Sequence, residues 1–226
     1  MTERLGVMAK YWQVGQVKTR LGATIGLEQS ARLHRIFCLQ LARSLSEVAH
    51  RRSFVVTPSD AMPSFENELP SEWALEPQAD GDLGSRMKHW FANRENASSS
   101  ILIGADCPRL TRQDLEEAFA CLADHDIVLG PAHDGGYYLV GLRSPAGSVL
   151  NALFDGMVWS QSSVFETTLQ RAAACGLSVA TLTPNSDVDT EADLSQLFSD
   201  LQASDRDTDR SLEREIQAVM AMRDDA

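Results

Sequence analysis

Short apolar runs alternate with segments of helical periodicity along most of this 226-residue chain, and this alternation limits the folds that it can adopt. The runs are rich in Val, Ile and Leu, as in strands that are buried on both faces of a sheet. Predicted strands cover residues 5–9, 53–57, 73–76, 100–104, 126–130, 137–142 and 178–182, and predicted helices cover residues 27–48, 81–94, 162–176 and 190–201, with another helix beginning at Thr111. Strands that alternate with helices predict an α/β domain with a mainly parallel sheet.

The chain lacks a Pro- or Ser-rich linker long enough to divide it, so residues 1–201 are predicted to form a single domain. Residues 202–226 are densely charged, and we expect them either to fray or to form a peripheral helix. Beyond Leu212, Ile216 and Val219 this tail offers little apolar surface to bury. The sequence therefore predicts that the domain folds without it.

The composition excludes several classes of protein. A net charge of −12 repels a phosphate backbone, so a nucleic-acid polymer is not the expected partner. The four cysteines are scattered without a C-x-x-C pair, which gives neither a disulfide framework nor a zinc site. The sequence contains no run of 18 apolar residues and no signal-peptide pattern at its start. We expect a cytoplasmic protein without a membrane span.

Positive charge is concentrated in residues 1–52, which hold nine Lys and Arg against three Asp and Glu. Lys18 and Arg20 lie in the Gly-containing stretch 10–22 after the first predicted strand, which we expect to be a mobile loop. The stretch matches neither a P-loop nor a dinucleotide fingerprint. An ammonium and a guanidinium two residues apart can hold phosphate oxygens, whereas the alternative is a solvated surface loop.

Acidic residues follow two other predicted strands. Asp106 follows the apolar strand 100–104, and its alternative roles are to cap the helix at Thr111 or to accept a hydrogen bond from Arg109 or Arg112. Asp187 and Asp189 follow the last strand and could instead cap the helix that begins at Thr190. Carboxyl ends of parallel strands meet at one sheet edge, where ligands bind. Because Mg²⁺ takes carboxylate oxygens together with substrate phosphates, Asp106 with Asp189 or Asp187 is a candidate metal site.

Asp134-Gly135-Gly136 joins two predicted strands and allows two interpretations. Asp-Gly is a strong signal for a hairpin turn. Alternatively, the glycines let the backbone approach a substrate while Asp134 binds its hydroxyl or amine.

Five ordered motifs, spread over most of residues 5–195, resemble a known family. They are Lys10 with Gly15-x-Val17-Lys18-Thr19-Arg20-Leu21, Gly81-Asp82-Leu83-Gly84-x-Arg86-Met87, Gly104-Ala105-Asp106-Cys107-Pro108-x-Leu110, Gly130-Pro131-Ala132-x-Asp134-Gly135-Gly136-Tyr137-Tyr138-Leu139-Val140-Gly141, and Asp187-x-Asp189-Thr190-x-x-Asp193-Leu194. The family is that of the bacterial transferases of the GT-A (nucleotide-diphospho-sugar transferase) superfamily that are usually described as glycosyltransferases and are similar to 2-phospho-L-lactate guanylyltransferase. The chain departs from the pattern at Trp12, where relatives commonly have Pro.

The resemblance implies a Rossmann-like (GT-A) domain of three layers with a nucleotide at the carboxyl edge of its sheet. It also implies Mg²⁺ (or Mn²⁺) held by Asp106 with Asp187 and Asp189, and phosphates held by the Lys18/Arg20 segment. The candidate catalytic residues are Lys18, Arg20, Asp106 and Asp134, and the candidate substrate-binding residues are Lys10, Gly15, Arg86, Gly135 and Gly136.

Three functions agree with these residues. The first is nucleotidyl transfer from a nucleoside triphosphate to a small phosphorylated acceptor, which the basic segment favours because a triphosphate brings more charge than a diphosphate. The second is glycosyl transfer from a nucleotide-diphospho-sugar, with Asp134 as a base, which the usual description of the family favours. The third is a non-catalytic nucleotide-binding module. A homodimer is also compatible with the sequence.

Overall fold

Seven strands form one sheet in the computed structural model, which describes residues 2–93 and 96–222. The strands are β1 (Glu3–Lys10), β2 (Arg51–Thr57), β3 (Ala74–Pro77), β4 (Ser99–Gly104), β5 (Ile127–Pro131), β6 (Tyr137–Leu142) and β7 (Val179–Thr181). Their order across the sheet is β3-β2-β1-β4-β6-β5-β7. Strand β6 runs antiparallel to both of its neighbours, and every other pair is parallel. The predicted α/β fold with a mainly parallel sheet is therefore confirmed.

Helices cover both faces of the sheet. They are α1 (Thr19–Ile25), α2 (Leu27–Ser44), α3 (Met62–Glu66), α4 (Leu83–Ala92), α5 (Arg112–Asp124), α6 (Gly147–Phe154), α7 (Val164–Ala174), α8 (Glu191–Gln202) and α9 (Asp207–Ala221). Alternate residues of β4 point to opposite faces, so Ile101 and Ile103 pack with α2 and α5, whereas Leu102 packs with α4 and α6. This arrangement is the predicted three-layer domain. Within the residues described, no helix has the length and apolar character needed to cross a membrane.

The basic stretch is more ordered than the predicted loop, because Thr19–Ile25 forms helix α1. Leu21 and Ile25 are buried in an apolar cluster with residues of α2, α8 and α9. We call this set, which also includes Val188, the C-terminal cluster. The prediction of a mobile loop over residues 10–22 is therefore wrong at its C-terminal end. Its basis was the charge of the segment, whereas the buried contacts of Leu21 and Ile25 stabilise a helix there.

The C-terminal segment packs on the domain instead of fraying. Helix α9 contacts α2 and α8, and Leu212 and Ile216 are fully buried in the C-terminal cluster while Val219 is 6% exposed. Leu212, Ile216 and Val219 thus share one buried face of a helix that packs in the C-terminal cluster. We now expect the tail to contribute to stability, the opposite of the expectation from its charge.

Substitution of Ile216 by Ala tests this contribution. We expect a loss of about 2–5 kcal/mol in the free energy of unfolding, because the change removes buried methylene groups and leaves a cavity. Urea denaturation measures it. Gln217→Ala, on the exposed face of the same helix, should stay within about 0.5 kcal/mol of the wild type. Equal stability of the two variants would show that α9 is not part of the folded core.

Candidate active site

The carboxyl edge of the sheet brings two acidic loops together. One follows β4 and carries Asp106, and the other, after β7, carries Asp187 and Asp189. The backbone N–H of Val188 donates to the carbonyl oxygen of Asp106 at 3.0 Å and joins the two loops. The adjacent parallel strands β1 and β4 bring the basic segment after β1 to the same edge.

Lys18 lies between the two acidic loops. Its Nζ is 2.6 Å from Asp106 Oδ1 and 2.9 Å from Asp189 Oδ1, and its side chain is only 3% exposed. Its backbone adopts a left-handed conformation, with φ of 47°, just before α1 begins. Burial by itself would lower the pKa of Lys18, but the charges of Asp106 and Asp189 outweigh it and raise that pKa. Lys18 is therefore a charged ammonium shared by two carboxylates.

His34 belongs to the same site and is absent from the sequence prediction. It lies on the buried face of α2, with Nε2 2.9 Å from the carbonyl oxygen of Lys10 and Nδ1 3.6 Å from Asp106 Oδ1. Burial lowers the pKa of His34, but Cys38 and Asp106 outweigh it and raise the pKa to about 10. The one sequence signal was a histidine within the apolar stripe of a predicted helix, a position that core packing alone also explains.

Lys18 and His34 both lie beside the same oxygen atom of Asp106, Oδ1. Oδ1 is buried and faces Lys18 and His34, whereas the side chain as a whole is 42% exposed, so its open part lies on the Oδ2 side. Burial would raise the pKa of Asp106, but Lys18 and His34 outweigh it and hold that pKa well below its usual range. The carboxylate is ionised and has an oxygen facing the cleft.

Asp187 experiences mutual repulsion between carboxylates. Burial and then the charges of Asp189, Asp134 and Asp106 raise its pKa. This edge of the sheet thus holds more negative charge than Lys18 alone compensates, and a further cation would stabilise it.

Other residues fill the alternative roles considered for these carboxylates. Thr111 and Asp114 form the capping box of α5, and Thr190 and Asp193 form that of α8. Arg109 pairs with Asp200 and Asp209, and Arg112 pairs with Glu47 and Glu116, so neither arginine is held by Asp106. Capping therefore does not explain Asp106, Asp187 or Asp189.

The carboxylate oxygens at this edge of the sheet are the type of ligand that a hard divalent cation prefers. Asp106 and Asp189 offer carboxylate oxygens and already converge on a single cation, the ammonium of Lys18. Mg²⁺ commonly binds one or two carboxylates and completes its shell with water and phosphate oxygens. Among the described residues, no group of three or more His, Cys, Asp or Glu forms a ready metal cage. The residues fit a metal that arrives together with a phosphate ligand.

A pocket of about 190 Å³ opens beside Asp106 on the β6 side of the sheet. Its walls include Asp106, Asp134 and Asp187 together with Tyr137, Tyr138 and Trp159. None of the described residues that line it is Lys or Arg. A larger groove of about 740 Å³ lies around Glu3 and Ser99, where β1 and β4 begin, and is thus at the opposite edge from the acidic loops.

The Asp134 loop is a hairpin between the antiparallel strands β5 and β6, which confirms the turn interpretation, and it also borders the pocket. Asp134 Oδ1 accepts from the Gly136 N–H at 2.8 Å. At Gly135, with φ of 90°, a Cβ atom would lie 2.1 Å from the carbonyl oxygen of Ser162, so this glycine permits a close approach of two backbones. Its observed role is packing, and substrate binding by Gly135 and Gly136 stays a prediction.

The remaining predicted residues lie on the β1 side of the edge and not in the pocket. Lys10 is exposed at the end of β1, Gly15 has φ of 77° in the turn before Lys18, and Arg20 is exposed in the first turn of α1. Arg86 donates to the carbonyl oxygen of Gly81 at 3.0 Å and to Gln78 Oε1 at 3.1 Å. The cations thus lie on one side of Asp106 and the pocket on the other.

Comparison with known proteins identifies the family and the fold of the chain. The model of the family described as "Uncharacterized protein conserved in bacteria (DUF2064)" matches residues 40–161. A protein from Desulfovibrio desulfuricans G20, provisionally named a nucleotide-diphospho-sugar transferase, is 31% identical, with a TM-score of 0.87 over 99% of both chains. No protein of curated function matches the sequence.

More distant structures share the fold alone. Rv0371c from Mycobacterium tuberculosis H37Rv, solved in complex with manganese, is 14% identical with a TM-score of 0.53 over 86% of this chain and 97% of that one. The 4-diphosphocytidyl-2C-methyl-D-erythritol synthase from Anaerococcus prevotii DSM 20548 is 8% identical with a TM-score of 0.60 over 89% of this chain and 96% of that one. The predicted GT-A-like fold is therefore confirmed.

The position of Lys18 predicts how the site binds a metal without nucleotide. Removing its charge by Lys18→Met should strengthen Mn²⁺ binding by about tenfold or more, because a cation within hydrogen-bond distance no longer competes for Asp106 and Asp189. Titration followed by electron paramagnetic resonance of free Mn²⁺ measures this. Lys88→Met is the matched control, since Lys88 pairs with Asp155 on the surface. Unchanged or weaker Mn²⁺ binding in Lys18→Met would contradict the competition.

Proposed function

The chain belongs to the bacterial family described as DUF2064, and from this we propose that it is a nucleotide-dependent transferase of the GT-A superfamily that works with a divalent cation. One observation carries the proposal: Asp106 and Asp189, from two separate loops, converge on a single cation position at the carboxyl edge of the sheet. In α/β sheets of this kind ligands bind at that edge. A binding module without catalysis has no need for such a costly concentration of carboxylates, so we rank it last.

Asp106 and Asp189 would hold the metal, and Asp187 would be a further oxygen donor. When bound, Mg²⁺ or Mn²⁺ would supply positive charge for the phosphate oxygens of the nucleotide. His34 lies beside the buried oxygen of Asp106, with Nδ1 3.6 Å from Oδ1, and its charge would help to orient that carboxylate. The Oδ2 side of Asp106 is left open to the cleft.

Phosphates of the donor would lie on the β1 side of Asp106. Lys10 and Arg20 are exposed there, and Lys18 is within reach once a metal takes its place between Asp106 and Asp189. A guanidinium and ammonium groups stabilise negative charge that develops on a leaving group. These residues would therefore act on whichever group departs with the donor's phosphates.

Nucleotidyl transfer is the first candidate reaction. An oxygen of the acceptor attacks the α-phosphorus of a nucleoside triphosphate, the bond to the bridging oxygen breaks, and pyrophosphate leaves with that electron pair. Arg20 and Lys18 would neutralise the departing pyrophosphate. The number of cations on the β1 side favours this reaction, because a triphosphate carries more charge than a diphosphate.

Glycosyl transfer is the second candidate, and the position of Asp134 favours it. Its exposed carboxylate borders the pocket, where it could take the proton of an acceptor hydroxyl that attacks the anomeric carbon. The nucleoside diphosphate would then leave toward the same cations. The provisional name of the Desulfovibrio protein agrees with this reaction.

Loss of one carboxylate tests the metal-dependent site. Nucleoside triphosphates and nucleotide sugars with Mg²⁺ should raise the melting temperature of the wild type, since a ligand stabilises the state that binds it. Asp106→Asn should lose the Mg²⁺-dependent part of this rise. Asp155→Asn, a change on the surface, should keep all of it. Retention of the full rise in both Asp106→Asn and Asp189→Asn would show that the metal assignment is wrong.

Arg20 distinguishes the two reactions. If the site is built for nucleotidyl transfer, Arg20→Ala should weaken triphosphate binding by about 1–2 kcal/mol and diphosphate binding by less, with the difference shrinking as salt rises. Calorimetric titration at two ionic strengths measures both affinities. Arg32→Ala, which removes an exposed arginine paired with Glu28 on α2, is the control. Equal effects on the two nucleotides would remove the argument that ranks nucleotidyl transfer first.

A further inference from the structure

The pocket beside Asp106 differs in chemistry from the phosphate side of the cleft. Three aromatic residues, Tyr137, Tyr138 and Trp159, are among those that line it. Its ionisable side chains of Asp or Glu are Asp106, Asp134 and Asp187, and Ser160 and Gln161 are uncharged polar residues of the lining. The cations of the site, Lys10, Lys18 and Arg20, lie outside the residues that line it.

Two carboxylates of this pocket, Asp134 and Asp187, differ from Asp106 in having no cationic partner among the described side chains. Lys18 pairs with Asp106 and Asp189, whereas within residues 2–93 and 96–222 neither Asp134 nor Asp187 pairs with a Lys, Arg or His side chain. A phosphate group placed between Asp134 and Asp187 would meet like charges and no guanidinium or ammonium partner. A hydroxyl or an ammonium group would instead donate hydrogen bonds to these carboxylates.

We propose that this pocket binds the acceptor of the transfer reaction, and that the acceptor carries hydroxyl or amino groups but no phosphate. The proposal rests on the proposed transferase function and narrows its substrate class. It replaces the phosphorylated acceptor expected from the sequence, because the cations that could hold the phosphate of such an acceptor lie on the other side of Asp106.

The size and walls of the pocket define the acceptor further. About 190 Å³ is less than the roughly 300–1,000 Å³ of a site for a drug-sized ligand, so the bound part of the acceptor is a single small ring or a short chain. Trp159, which is only partly buried, lines the pocket, and an aromatic side chain there can pack against the C–H groups of a ring. A small polyol, an amino sugar or an amino alcohol meets these conditions.

Gly104 offers a way to reverse the charge of the pocket. It lines the pocket at the end of β4, and a Cβ atom added there would meet no other atom within 4 Å. Gly104→Lys therefore adds a cation with little steric cost, and Gly104→Gln adds a side chain of similar size without charge. Gly147→Lys, at the exposed start of α6, adds the same charge away from the pocket where Cβ is also unobstructed.

The experiment compares matched probes that differ only by a phosphate. Choline with phosphocholine, glucosamine with glucosamine phosphate, and glycerol with glycerophosphate are titrated into the full chain in the presence of Mg²⁺ and a saturating nucleotide. Binding is measured by saturation-transfer NMR and calorimetry. Circular dichroism melts confirm that each variant is folded, and nucleotide binding is measured separately in each.

We expect the wild type to bind at least one member without phosphate more tightly than its phosphorylated partner. Gly104→Lys should shift this preference toward the phosphorylated partner by roughly fivefold or more, the effect of one added charge pair, while Gly104→Gln and Gly147→Lys leave it unchanged. If Gly104→Lys does not fold, the preference of the wild type decides alone.

Two results would overturn the proposal. They are tighter binding of the phosphorylated probes to the wild type, and no binding of any probe without phosphate. In each case intact nucleotide binding by the wild type leaves the proposed function standing. Failure of the wild type to bind any nucleotide would overturn the transferase function itself.

Discussion

The ion pairs of Lys18 with Asp106 and Asp189 are the interaction on which the rest of the site depends. Asp106 and Asp189 come from separate loops and both lie within 2.9 Å of Lys18 Nζ, so their carboxylates would repel each other if no cation lay between them. Lys18 provides that cation from a buried position at the start of α1. The two loops are thereby held together by a residue of the chain itself, and a metal at this position would have to compete with it.

Helices α8 and α9 contact both acidic loops and so help to hold Asp106, Asp187 and Asp189 in position. Val188, between the two acidic residues of its loop, is buried in the C-terminal cluster with residues of α8 and α9. Arg109, three residues after Asp106, donates to Asp200 of α8 at 2.9 Å and to the buried Asp209 of α9 at 3.3 Å. Both acidic loops are thus fixed to the same pair of helices, which gives the charged C-terminal segment a positioning role that its composition does not indicate.

Local patterns made the fold and the site loops predictable, whereas the pairing within the site depended on tertiary contacts. The apolar strands and the acidic residues that follow them can be recognised in the sequence. In the structure these acidic residues lie at the carboxyl edge of the sheet, as predicted. His34 was not predicted as a site residue, because a histidine within the apolar stripe of a helix is usually interpreted as a residue of the hydrophobic core. Lys18 was expected to face phosphates, and its burial between Asp106 and Asp189 depends on residues 88 and 171 positions away in the chain. No local pattern contains that information.

The division of charge around Asp106 distinguishes the two sides of the cleft. On the β1 side, exposed cations would attract the phosphates of a nucleotide, and on the β6 side, carboxylates would favour the proposed acceptor without phosphate. A metal bound by Asp106 and Asp189 would displace Lys18 from its position between them, and the ammonium would then be available to phosphates on the β1 side. Asp106 would thus link the two sides of the cleft, since it pairs with Lys18 and also lines the pocket.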